Sequence, residues 1–279
     1  MATSITQSLR LLPGPVTLVD YDSRGTPGFD GGKKAGKQAL AELADPLAGL
    51  QERLYAESRG GGGRRILLVL QGMDTSGKGG IIKHCAGLLD PQGVSLTSFR
   101  APTKNEQRHD FLWRIERHVP EPGMVAIFDR SHYEDVLIAR VRKLSSETEI
   151  DRRYDAINAF EQRLTDDGTT IVKCFLHISK QTQRERLLAR LEDPTKHWKF
   201  NPDDVDERRL WPDYQRAYEV ALERCSTPVA PWYVVPSDRK WYRNWAITTL
   251  LTEKLSAVDP QWPAGDFDVE EQMARVRAS

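Results

Sequence analysis

Ile66-Leu67-Leu68-Val69-Leu70-Gln71-Gly72-Met73-Asp74-Thr75-Ser76-Gly77-Lys78-Gly79-Gly80 is the stretch from which the rest of this chain can be read. Its first five residues are apolar and suit a buried strand. Beyond the glycines, Ile81, Ile82, Cys85, Leu88 and Leu89 recur at helical spacing. Strand, glycine-rich turn and helix in that order build an anion site, because backbone N–H groups and the positive helix end converge on one spot. The spacing Gly72-x4-Gly77-Lys78 is that of a P-loop, whose lysine reaches bound phosphates. Gly72, Thr75, Ser76, Gly77, Gly79 and Gly80 form the expected cradle. One position departs from the usual pattern, since Gly79 stands where a Ser or Thr hydroxyl would hold magnesium. Another oxygen must take that place, and Asp74 inside the loop is the nearest candidate.

Composition narrows the class of protein. A chain of 279 residues suits one substantial α/β domain with embellishments. With 40 basic and 40 acidic residues the net charge is zero, so no bulk field favours nucleic acid or an anionic membrane. Cys85, Cys174 and Cys225 are widely spaced and form no CxxC pair, which argues against a disulfide framework or a zinc site. The start carries no signal pattern and no apolar run approaches membrane-spanning length. The expectation is a soluble, cytoplasmic protein with neither nucleic-acid nor membrane partners.

Outward from the glycine loop, short apolar runs alternate with helical patterns. Strands are predicted at Ser95–Phe99, Met124–Phe128, Ile171–Ile178 and Trp232–Val235 in addition to the first. Helices are predicted over 106–118, 131–144, 147–167, 180–192, 202–225 and 238–258. That alternation predicts an α/β fold, a central five-stranded parallel sheet with helices on both faces in a P-loop kinase-like three-layer sandwich. Ahead of the first strand, residues 1–34 are expected to form an extended arm. A helix over 37–58 follows, with a seam of Leu40, Leu43, Leu47, Leu50 and Leu54 that packs on the chain's own core.

In such a sheet the reactive groups belong at the strand carboxyl ends. Asp129 and Arg130 directly follow the third apolar run. Asp129 is expected to share a metal with Asp74, and Arg130 to grip phosphate through two parallel hydrogen bonds. Glu134 either joins the site or closes a capping box with Ser131. After the second run, Thr103 and Lys104 are candidates for an acceptor's phosphate, and Thr103 with Glu106 also fits a capping box. The stretch Lys180–Lys199 carries six Lys/Arg against three acids, with Arg186 and Arg190 on one helical face. It reads as a lid that closes arginines over phosphates. Lys83, Arg140, Arg142, Lys143, Lys196 and Lys199 would extend a positive track for a long polyanion. Trp211, Tyr214 and Tyr218 read as packing residues.

Longer motifs add to this. Gly72–Gly80, His109-Asp110-Phe111-Leu112-Trp113-Arg114, Asp129-Arg130-Ser131-His132-Tyr133-Glu134-Asp135-Val136, Asp193-Pro194-Thr195-Lys196-His197-Trp198-Lys199-Phe200 and Pro231–Val235 together resemble the polyphosphate kinase type-2 family. The resemblance runs from about residue 50 to 263 and is most like the class III branch, whose members accept nucleoside mono- and diphosphates. It implies reversible phosphoryl transfer from inorganic polyphosphate to AMP or ADP. Magnesium is the implied cofactor, with manganese as the alternative, and a homodimer or homotetramer the implied assembly. Carried over residue by residue, Asp74 and Asp129 would bind metal, Lys78 and Arg130 phosphate, and Arg186 and Arg190 would act from the lid. Residues 1–60 would then be an arm and leucine-seam helix, 61–265 the phosphotransferase domain with its lid at about 180–205, and 266–279 a tail. Motifs alone also fit an ATP-dependent nucleoside monophosphate kinase of thymidylate-kinase type, or a non-catalytic nucleotide sensor.

Overall fold

A computed structural model describes residues 4–279. Five parallel strands, β1 (Arg65–Gln71), β2 (Val94–Ser98), β3 (Val125–Asp129), β4 (Thr169–His177) and β5 (Trp232–Pro236), lie in the order β2-β3-β1-β4-β5. Because side chains alternate along a strand, each central strand feeds two cores. Leu67, Val69, Ala126, Phe128, Ile171 and Phe175 meet helices Glu134–Val141, Glu147–Asp166 and Trp211–Cys225 on one face. Ile66, Leu68, Leu70, Ile127, Val172 and Cys174 meet Ala44–Arg59, Lys78–His84 and Lys240–Val258 on the other. Both faces are therefore covered, which explains why these strands read as continuous apolar runs rather than alternating ones. No helix among the described residues is long and apolar enough to cross a membrane.

The chain leaves β1 toward one edge and later crosses to the other, so β1 is flanked by β3 and β4. A crevice opens at such a switch point outside the carboxyl ends of the strands. The register pairs Leu70 of β1 with Asp129 of β3, bringing the two strand exits side by side.

Several expected elements differ in the structure. The leucine seam is split into helices Lys33–Glu42 and Ala44–Arg59, while Leu47, Leu50 and Leu54 are buried in the core as expected. The N-terminal segment is docked rather than free. It forms a short helix, Ile5–Leu9, and buries Ile5, Leu9, Leu11, Val16 and Leu18, and the Leu11 N–H donates to the Trp232 carbonyl. The helix predicted over 106–118 is a 3-10 turn, Glu106–Arg108, and a short helix, Trp113–Glu116. The Asp110 carboxylate between them accepts from the Leu112 N–H and restarts the chain in a new direction. The helix predicted over 202–225 likewise breaks into Asp203–Glu207, a turn at Arg208–Leu210, and Trp211–Cys225. Pro212 lacks an N–H and crowds the preceding turn, so it opens a helix rather than continuing one. In the tail, Val269–Ala278 is helical, its N-terminus capped by the Asp268 side chain.

Candidate active site

The glycine loop leaves β1 and turns into helix Lys78–His84, with Gly77 at φ +115° and Thr75 at φ +64° in the left-handed region. For Gly77 that conformation is cheap, and for β-branched Thr75 it is strained. The Lys78 ammonium donates to the Gly72 carbonyl at 2.8 Å, folding the side chain back over the loop. Burial lowers the Lys78 pKa, and Arg130 adds to this, while Asp74, Asp129 and Glu134 oppose it. The hydroxyls of Thr75 and Ser76 and the amide oxygen of Gln71 are buried with no hydrogen-bond partner among the described residues. Orphaned polar atoms of this kind are costly and rare, and three within six residues mark a place built to hold a polar ligand.

Beside the loop, Asp129 ends β3 and Arg130 follows at φ +65°. Its backbone N–H donates to the Leu70 carbonyl at 3.1 Å, and its guanidinium donates to Asp74 Oδ1 at 3.2 Å. Asp74, Asp129 and Arg130 thus converge at adjacent strand ends, as expected. Burial alone would lower the Arg130 pKa, but Glu134, Asp74 and Asp129 outweigh it and hold the guanidinium above its usual range. Glu134 also faces this cluster. Burial pushes its carboxyl above the usual range, against the pull of Arg130 and Lys78. Of the two readings of Glu134, the capping box with Ser131 does not form. Its hydroxyl instead accepts from the Tyr133 N–H and the Gln71 amide, and the helix starts at Glu134 itself. Glu134 is thereby released from a capping role.

Arg130 and Glu134 also line one end of a cavity of about 550 Å³. Its walls include Phe99, Arg100 and Pro102 after β2, then His109, Phe111, Ile138 and Leu144. Arg114 braces it, donating to the Arg100 carbonyl at 2.8 Å and to Asp135 at 3.0 Å. Thr103 and Lys104 sit outside this lining. Thr103 forms the alternative capping box instead, its N–H donating to Glu106 and its hydroxyl accepting from the Glu106 N–H.

A family model for polyphosphate kinase 2 matches residues 31–263 of the chain. The chain belongs to the polyphosphate kinase 2 family. It is 47% identical over 250 residues to the AMP/ADP-polyphosphate phosphotransferase of Meiothermus ruber, covering 90% of this chain and 92% of that protein. Identity is 40% over 238 residues to the ADP-polyphosphate phosphotransferase of Rhodopseudomonas palustris, covering 81% of each. The crystal structure of polyphosphate kinase 2 from Arthrobacter aurescens TC1 superposes with a TM-score of 0.97 at 52% identity, covering 100% of this chain and 98% of that one.

Within this polyphosphate kinase 2 framework, the two expected lid arginines are placed differently from each other. Arg190, on helix Lys180–Leu191, donates to Asp204 and to the Lys199 carbonyl. Arg186 lies behind the glycine loop and donates to the carbonyls of Thr75, Ser76, Ser237 and Asp238. Most of the expected positive track is already partnered. Arg140 pairs with Glu147 and Asp151, Arg142 with Glu207, and Lys196 with Asp193, and Lys199 lies over the Trp198 ring. Lys83 and Lys143 are exposed and have no carboxylate partner among the described residues.

Some residues near the site went unread in the sequence. Tyr218, taken for packing, is buried against the charges. Its pKa is raised well above the usual value by burial and then by Glu134 and Asp74. Gln183 donates to the Asp74 carbonyl at 3.2 Å. Arg243 donates to the Ser76 carbonyl at 3.0 Å, and burial with nearby Arg186 pulls its pKa down to about 9. A signal for Arg243 was present, since it is the one charged residue between Trp241 and Leu251 in a largely apolar helical run.

Proposed function

We propose that the chain transfers the terminal phosphoryl group of inorganic polyphosphate to AMP or ADP, reversibly, with the polymer on the glycine loop and the nucleotide in the cavity. The observation that carries this reading is the position of Arg130, which contacts Asp74 of the loop and also lines the nucleotide-sized cavity. One guanidinium then touches both the donor and the acceptor side of the transfer.

In this mechanism a terminal phosphate oxygen of the nucleotide attacks the end phosphorus in line. The bond to the next phosphate breaks, and the shortened polymer leaves with the bridging oxygen. With a second phosphate pKa of about 6, the attacking oxygen is already mostly ionised near neutral pH, so a strong general base is unnecessary. Lys78 and the loop amides hold the donor, Arg130 stabilises charge on the transferring group, and Arg190 closes from the lid. Thr103 and Lys104 would meet the nucleotide phosphate only if the segment after β2 moved toward the cavity on closure.

Asp74 and Asp129 are hard oxygen donors of the kind that suits magnesium or manganese, and would hold it with phosphate oxygens completing the shell. When bound, that ion neutralises charge on the phosphate oxygens. Exposed Lys83 and Lys143 give the polymer its path outward. We assign the enzyme to the cytoplasm, where nucleotides are plentiful, and to a homodimer or homotetramer. Exposed Trp262, Phe267, Met273 and Val276 near the C-terminus support a subunit contact.

The test supplies ADP and polyphosphate with magnesium and no other triphosphate, and measures ATP. Repeating it with AMP and with GDP assigns the acceptor. An enzyme that makes ATP only when a nucleoside triphosphate donor is present would overturn the reading.

A further inference from the structure

Two arginines lie beneath the glycine loop with no carboxylate in contact. Arg243, near the start of helix Lys240–Val258, is 3% exposed. Its Nη1 donates to the Ser76 carbonyl at 3.0 Å, and its remaining bonds go to Asn244 Oδ1. Arg186 donates to the same Ser76 carbonyl at 3.0 Å and otherwise to backbone carbonyls. Neither forms an ion pair with a carboxylate among the described residues. Buried charges are ordinarily paired, so the buried Arg243 guanidinium, satisfied only by neutral oxygens and next to the half-buried Arg186, represents a cost that some other interaction offsets.

The glycines of the loop record where Arg243 sits. A Cβ at Gly77 would lie 1.6 Å from Arg243 Nη1, and one at Gly80 would lie 2.5 Å from Nη2. At Gly79, between them, a Cβ would meet nothing within 4 Å. Gly77 is already required by its positive φ, but Gly80 is not, and the guanidinium explains it. The peptide bond supplies the remaining step. It is planar and trans, so pinning the Ser76 carbonyl toward the two arginines turns the Gly77 N–H to the opposite side of the loop. A positive charge held below the loop also strengthens its pull on an anion above.

We propose that Arg243 is a positioning residue for the polyphosphate donor. It fills the space left by Gly77 and Gly80, orients the Gly77 amide, and carries a positive charge whose countercharge is the bound polymer. This rests on the reading that polyphosphate occupies the glycine loop.

The experiment compares the full-length wild type with Arg243→Met, Arg243→Lys and Gly80→Ala. Initial rates are measured against polyphosphate at saturating ADP and against ADP at saturating polyphosphate, and melting temperature with and without polyphosphate alone. Arg243→Met is expected to raise the polyphosphate KM about tenfold or more, the loss of one charge-assisted contact, with the ADP KM changed less than about twofold. Its ligand-free melting temperature is expected to be no lower than that of wild type, while most of the polyphosphate-induced shift disappears. Arg243→Lys should recover part of that shift. Gly80→Ala, which keeps the arginine but displaces it, should raise the polyphosphate KM in the same direction, and it decides the matter if Arg243→Met does not fold. An unchanged polyphosphate KM in Gly80→Ala, or equal rises for both substrates in Arg243→Met, would overturn the proposal. If the wild type itself shows neither a polyphosphate-induced shift nor ATP formation, the assignment of polyphosphate to the loop is what fails.

Discussion

Asp74 and Asp129 reach one site by different routes, one from inside a loop and the other from the last residue of a strand. Their proximity is a matter of register, and the value to the reaction proposed for them is their charge. Asp74→Asn and Asp129→Asn keep size and shape, so each is expected to fold normally yet lose about 10²-fold or more in kcat, the usual scale for one preorganised electrostatic contact. Steady-state rates with ADP and polyphosphate at saturating magnesium check this, and near wild-type turnover in either variant would refute the metal assignment. Glu134 makes a different prediction. Burial raises its pKa above the 4.5 of a free glutamate, so the folded chain binds this proton more tightly than the unfolded one. Its contribution to stability is therefore full below about pH 4.5 and falls as pH rises through the folded-state pKa. Glu134→Gln removes that loss. Thermal denaturation of the ligand-free protein should show the variant melting with wild type in acid and above it at neutral pH. A difference that stays constant across the titration would contradict the assignment.

At the scale of elements, the glycine loop separates glycines that geometry requires from one it does not. Gly77 has φ +115° and abuts Arg243, whereas Gly79 faces open space. Gly79→Ser should fold with stability within about 1 kcal/mol of wild type, since it removes freedom from the unfolded chain without a clash. Its hydroxyl stands where other phosphate loops ligate magnesium, so half-maximal activity is expected at a lower magnesium concentration. A magnesium titration of initial rate measures this, and an unchanged midpoint would mean that Asp74 leaves no room for the hydroxyl. Elements of this kind were the most readable part of the chain. All five strands fell close to their predicted places, because runs such as Leu67–Leu70 state their burial directly. Breaks were harder to see. Periodicity carried the helices straight through Asp110 and Pro212, where a local side-chain bond and a missing N–H turn the chain.

Across the whole molecule, stability and site geometry meet in a buried network that no motif announced. Lys173 on β4 donates to Glu161 at 2.6 Å, to the Tyr133 hydroxyl at 2.9 Å and to the Cys225 carbonyl at 2.6 Å. Glu161 also accepts from Tyr133 at 2.8 Å and lies 3.1 Å from His132. All four side chains are buried, and the network ties the strand exit that carries Arg130 and Glu134 to two helices and to β4 of the same sheet. Glu161→Gln would leave the Lys173 charge without its carboxylate, and a loss of about 3–5 kcal/mol is expected in chemical denaturation. Pairing it with Lys173→Met should cost less than Glu161→Gln alone, because no unmatched charge then remains buried. Additive losses would show that the two residues act independently.

The sequence by itself determined the local chemistry. Apolar runs marked the strands, the spacing Gly72-x4-Gly77-Lys78 marked the proposed anion cradle, and Asp129-Arg130 at a strand exit marked the second half of the candidate site. These follow from periodicity and backbone geometry over a few residues, which neighbouring sequence is enough to specify. Tertiary structure alone decided which strand lies beside which, that the Arg186 side chain bonds to the carbonyls of the loop, and that Arg243 occupies the space left by Gly80. The two arginine contacts join residues more than a hundred positions apart in the chain. Only the packing of two helices against one sheet brings such residues together, and no local pattern encodes that distance.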